Sequence, residues 1–138
     1  MIKNRIGNFL QHLVKDNRGT QLVEFAIVLP ILMLLLVGIM EFGRAFFSWV
    51  VITNGAREGA RYGAIGKSSS EITARVVDTT TGLEPSLITV STTNAQGTPG
   101  TSVTVQVTYS LQIITPMMAA FFPSNPYPLT NTATMRLE

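Results

Sequence analysis

The chain has no cysteine and a single histidine. The first absence excludes disulfides, thiol nucleophiles and thiolate metal sites. A small domain outside the cytoplasm would have to hold its core without covalent staples. The second absence excludes a Ser-His-Asp set in the body of the chain, because His12 lies in the N-terminal head. An isolated histidine there reads as a plain polar residue rather than a ligand or base. Charge is also scarce: 13% of the residues are charged, against roughly 25% in an ordinary soluble protein. A net charge of +2 is too small for a nucleic-acid-binding face. The acids Glu71, Asp78 and Glu84 are scattered without Ca²⁺ or Zn²⁺ ligand spacing, and no phosphate loop is present. The residues therefore imply no enzyme, no cofactor, no metal and no nucleic-acid partner.

What charge there is gathers at one end. Lys3, Arg5, Lys15 and Arg18 against Asp16 make residues 1–19 basic, and this head ends in Arg18-Gly19. Thr20-Gln21-Leu22-Val23-Glu24-Phe25 follows, and the run from Phe25 to Met40 carries no charge. From Leu22 to Met40 the only charged residue is Glu24. At ~1.5 Å per residue these positions reach about 28 Å, close to a bilayer core of ~30 Å. No small-x-small pattern closely follows the run, so it reads as a retained span rather than a cleaved secretory signal. The positive-inside rule places the head in the cytoplasm and the C-terminal part outside.

Two residues in this stretch need a reason. Pro30 removes a helix hydrogen bond and crowds the carbonyl of Ala26. It marks either a gentle kink or a place where the helix unwinds after leaving lipid. Glu24 costs a few kcal/mol inside a bilayer unless it reaches the interface or meets a cation. A cut after Gly19 would supply such a cation on a neighbouring subunit, the α-amino group of Thr20, which is charged below a pKa of ~8.

Gly19, Thr20, Glu24 and Phe25 together resemble the class III signal of type IV pilins and pseudopilins. That signal has a basic leader ending in Gly, a Glu five residues after the cut, an adjacent aromatic and an apolar helix. The stretch Gly19-Thr20-Gln21-Leu22-Val23-Glu24-Phe25-Ala26-Ile27-Val28-Leu29-Pro30 is similar to the TadE-like family of tight-adherence (Tad/Flp) systems. So are Thr53-Asn54-Gly55-Ala56-Arg57-Glu58-Gly59-Ala60-Arg61 and the closing Ala133-Thr134-Met135-Arg136-Leu137-Glu138. The resemblance implies processing between Gly19 and Thr20 by a prepilin peptidase. It implies partners among other pilin subunits, the membrane platform of a pilus assembly system and the bilayer itself. It also implies a bacterial inner-membrane location and a part in a secreted, adhesive pilus.

The helical pattern continues past Met40. Glu41 and Arg44 stand three apart and can pair. Phe42, Phe46, Phe47, Trp49, Val50 and Val51 prolong the apolar character, and Trp49 suits an interfacial belt. Gly55, Gly59 and Gly63 recur every four positions, as do Ala56, Ala60 and Ala64. Each helical glycine costs about 1 kcal/mol relative to alanine, so a close neighbour is implied. The chain's own sheet or another subunit would serve. Arg57, Glu58 and Arg61 read as a solvated or rim charge set. A helix from Thr20 to about Ala64 would be roughly 68 Å long, more than any bilayer needs.

Gly63 to Ser70 reads as a loop, with Ser69 or Ser70 capping a short helix from about Glu71 to Thr79. Three strands follow by alternation: Leu87 to Thr92, Val103 to Leu111, and Leu129 to Leu137. Asn94 to Gly100 is hairpin-loop chemistry. Met117 to Phe122 suggests a short helix, expected to pack on the sheet rather than stand as an exposed patch.

The expected fold class is α+β, a long N-terminal membrane-spanning helix extending into a small three-stranded antiparallel β domain with a short helix, as in pilins. The expected divisions are a leader over 1–19, a helix over 20–64 with a span at about 22–40, and an extracytoplasmic domain over 65–138. The functional expectation is a minor pilin or pseudopilin. Gly19 and Thr20 would serve processing, Glu24, Phe25 and Pro30 subunit docking, and Gly55, Gly59, Gly63, Ala56 and Ala60 helix packing. The rival is an unprocessed single-pass anchor that displays a small β-rich binding domain.

Overall fold

The computed structural model describes residues 17–138. The basic head, with Lys3, Arg5, His12, Lys15 and Asp16, lies outside the described residues. Helix α1 is Asn17–Ala64 and runs through Pro30 without interruption. Packing divides the chain into two units, with the boundary between Ile39 and Met40. In the first unit α1 has no interior to face: Leu22, Phe25, Ile27, Ile31 and Leu35 are all exposed.

The second unit is built from the last turns of α1, helix α2 (Ser69–Thr79) and strands β1 (Ile88–Thr93), β2 (Ser102–Leu111) and β3 (Tyr127–Arg136). The strands form an antiparallel meander in the order β1-β2-β3. Val107 of β2 stands opposite Val90 on one side and Asn131 on the other. Alternation in β2 decides the inner face. Val103, Val105, Val107, Tyr109 and Leu111 are buried, whereas Thr104 and Thr108 point outward and join Thr134 and Thr130 through hydroxyl hydrogen bonds of 3.0 Å. Ile52, Ala56 and Ala60 of α1 and Ile72 and Val76 of α2 complete the core against β2.

Helix α2 begins earlier than the sequence suggests, and its cap is Ser68 rather than Ser69 or Ser70. The reason is the three-residue spacing to Glu71. Glu71 Oε2 accepts the Ser68 N–H at 3.0 Å, and Ser68 Oγ accepts the Glu71 N–H at 3.4 Å. This reciprocal box satisfies two N-terminal donors at once. The Glu138 N–H donates to the Ala64 carbonyl at 3.0 Å and ties the residues after β3 to the last turn of α1.

The segment after β2 departs from expectation. Its helix, α3, is only Pro116–Ala119 and buries no residue. Ile114, Met117 and Phe121 are 70%, 57% and 78% exposed instead of packed on the sheet. The inner face of β2 is already taken: side chains at Val103 and Val105 lie against Gly63 and Gly59 of α1. No place remains there for a further helix.

Candidate functional site

Gly19 and Thr20 lie near the start of α1 and are exposed. A Cβ built on Gly19 would meet nothing within 4 Å. Glu24 and Phe25 follow about a turn later, both exposed, and Pro30 is exposed further along the same helix. Among the described residues Glu24 makes no ion pair. The surroundings explain its cost. The most apolar eighteen-residue window of this helix has a mean hydropathy of 2.8 and none of it is buried. A helix apolar on every side belongs in a large core or in lipid. Among the described residues, this one helix is long and apolar enough to cross a membrane.

The small residues lower on α1 sit differently. A Cβ on Gly55 would stand 2.7 Å from Thr80 Cγ2, one on Gly59 2.6 Å from Val76 Cγ2, and one on Gly63 2.8 Å from Val103 Cγ2. Ala56 and Ala60 are fully buried beside them. The row is the seam along which α1 meets α2 and β2 of its own chain, and the glycines are what allow that approach.

Charge in the second unit forms two groups. On the surface, Glu58 Oε1 accepts from Arg75 Nη2 at 2.9 Å and from Arg61 Nη2 at 3.1 Å. Arg75 also reaches Asp78 and lies 5.4 Å from the Tyr62 ring centre. The Arg75 hydrogen bond, foremost, holds the Glu58 carboxyl below the usual range, and Glu58 in turn raises Arg75. A shallow depression lies over these residues, lined by Tyr62, Lys67, Glu71, Ala74, Arg75 and Asp78. Its charges are engaged with one another, Arg75 with Glu58 and Asp78 and Lys67 with Glu71. Arg75 joins this set from α2, and the α1 sequence alone gives no sign of it.

The second group centres on Glu41, which is buried. Its Oε1 accepts the N–H of Ile114 at 2.9 Å and of Thr115 at 3.1 Å, and the Thr115 hydroxyl at 3.3 Å. Its Oε2 pairs with Arg44 at 2.8 Å. Arg44 also donates to the Gln112 carbonyl at 3.3 Å. Sequence spacing shows the Glu41–Arg44 pair. It cannot show that the pair is the mooring for a segment some seventy positions away.

A bare apolar helix leading into a small three-stranded α+β domain is a pilin-like architecture. Residues 19–61 match the model of the family described as TadE-like protein. This stretch runs from Gly19, near the start of α1, past Gly55 and Gly59 of the small-residue seam, and stops short of Gly63. TadE-like proteins are associated with assembly of tight-adherence pili and are generally not enzymes. No curated protein and no solved structure matches the chain.

Proposed function

We propose that this protein is a minor pilin or pseudopilin of a tight-adherence pilus system, held in the bacterial inner membrane by α1 before assembly. The observation that carries the reading is the coincidence of the family match at 19–61 with one continuous helix. That helix is bare and apolar at first, then sealed onto its own domain at Gly55, Gly59 and Gly63. Such a helix has two stable surroundings, lipid or the apolar faces of other pilin helices. Leaving lipid for water would be penalised at ~25 cal/mol per Å², so extraction has to be coupled to docking on another subunit.

Cleavage between Gly19 and Thr20 by a prepilin peptidase supplies a cation for Glu24, which makes no ion pair among the described residues. Phe25 and Pro30 then belong to the docking face, and the membrane platform passes the subunit into the pilus. The test is mass spectrometry of the mature chain from piliated cells. An N-terminus at Thr20, in chain recovered with sheared pili, is expected. A chain that still begins at Met1 in those cells and stays with the membrane overturns the reading in favour of a fixed anchor.

A further inference from the structure

The exposed segment between β2 and β3 lies beside the point where the apolar run of α1 ends. Met40 closes that run, and the next residue, Glu41, is hydrogen-bonded to the backbone of Ile114 and Thr115. We propose that Gln112–Phe122 is a membrane-surface anchor, with Ile114, Met117 and Phe121 inserted in the headgroup layer where α1 leaves the bilayer. The proposal rests on the reading of Leu22–Met40 as a span.

Four observations converge on lipid as the occupant. The first is depth. The headgroup regions add roughly 5–8 Å on each side of the hydrocarbon core, and Ile114 is one hydrogen bond from the first residue beyond the run. The second is composition. No charged residue occurs from Gln112 to Pro128, and four large apolar side chains in this segment, Ile114, Met117, Phe121 and Phe122, are exposed. The third is satisfaction of the backbone. Backbone polar groups close to the hydrocarbon boundary meet less water than in bulk and favour partners within the protein. Glu41 takes the N–H groups of Ile114 and Thr115, and Arg44 donates to the Gln112 carbonyl. Asn125 serves both polar groups of Ile113, accepting from its N–H at 3.0 Å and donating to its carbonyl at 3.1 Å. The fourth is the treatment of charge. The one acid at this depth is buried and fully engaged, so it presents no bare carboxylate to lipid. Tyr127, edge-on to Phe122 with ring centres 5.5 Å apart, adds an aromatic of the kind found at membrane interfaces.

The absence of cysteine allows single spin labels to be placed without background. Met117→Cys, Phe121→Cys, Gln106→Cys and Ile31→Cys all change exposed positions. The full chain carrying each label is reconstituted in phosphatidylethanolamine–phosphatidylglycerol vesicles, and collision with oxygen is compared with collision with a water-soluble nickel chelate. The oxygen-to-chelate ratio at 117 and 121 is expected to be several-fold above that at 106 and below that at 31. A ratio at 117 and 121 equal to that at 106, with 31 still deep in lipid, overturns the anchor and leaves the span standing. Labels at 117 and 121 shielded from both reagents also overturn it, because another protein copy then covers the segment. A chelate-accessible label at 31 removes the span itself, and the anchor with it.

Discussion

The Glu41 carboxylate accepts the N–H of Ile114 at 2.9 Å across 73 positions of sequence. One side chain at the head of the domain-borne part of α1 therefore fixes the only long connection of the sheet. The same oxygen holds Thr115, and the other oxygen holds Arg44. In the proposed anchor, this placement would hold the exposed apolar segment in one position at the membrane surface.

Glu41→Ala should release that segment. Hydrogen bonds to a charged group contribute about 1.5–3 kcal/mol, and a buried donor left without a partner adds a further cost. A loss of about 2 kcal/mol is expected, read as a lower melting temperature in mild detergent. New protease cleavage between Gln112 and Asn125 should accompany it. An unchanged melt and an unchanged digestion pattern would show that the loop holds itself.

Glycine substitutions along α1 should separate by position. Gly59 lies under Val76 and Val105, so Gly59→Leu forces side chains into a filled core. Overpacking of this kind typically costs ~1–3 kcal/mol or more, and loss of protease resistance is expected. Gly43 has open space around its Cβ direction. Gly43→Ala should gain up to about 1 kcal/mol from helix propensity alone. Equal melting temperatures for the two variants would refute the close-packed seam.

Acid should weaken the N-terminal cap of α2 through Glu71. The Ser68 backbone N–H foremost, and then Lys67 and the Ser68 hydroxyl, pull the Glu71 carboxyl from 4.5 to about 2. A depressed folded-state pKa favours folding at pH above the unfolded value, and that contribution is lost as protons bind to the native state. The stability difference between wild type and Glu71→Gln should therefore be constant above about pH 4.5 and shrink as the pH falls toward about 2. Acid titrations of the two proteins followed by circular dichroism check this. A difference that stays constant down to pH 2 would rule out the capping carboxylate as its source.

Local pattern carried much of this structure. The alternation of Val103, Val105 and Val107 identifies β2 and its inner face, and the glycine row identifies a seam on α1. Both are properties of neighbouring residues. The partner of that seam is less legible, because a small-xxx-small row fits an internal sheet and a second subunit equally well. The exposure of Met117 and Phe121 was hidden for a related reason. Apolar residues near a sheet suggest a core, and only the tertiary arrangement reveals that α1 and α2 have already filled it. Glu41 is the furthest from sequence reasoning. Its local partner, Arg44, is visible at i+3, but its backbone partners come from the β2–β3 connection, 73 and 74 positions away.

Glu24 offers the sharpest test of the assembly reading. It is exposed on a helix surrounded by apolar side chains, and no cation pairs with it among the described residues. If the α-amino group of a processed neighbour is its partner, Glu24→Gln removes the attraction while preserving size and one acceptor oxygen. The neutral side chain is also easier to hold in the bilayer, where a centrally placed acid costs roughly 2.5–3.5 kcal/mol. Membrane insertion of the variant should therefore be undiminished, while its recovery in sheared pili falls several-fold. The two quantities are read from the same culture by immunoblot of membrane and pilus fractions. Normal recovery in pili would remove the docking role of Glu24. Reduced levels in the membrane fraction would instead locate its role before assembly, in insertion or stability of the subunit.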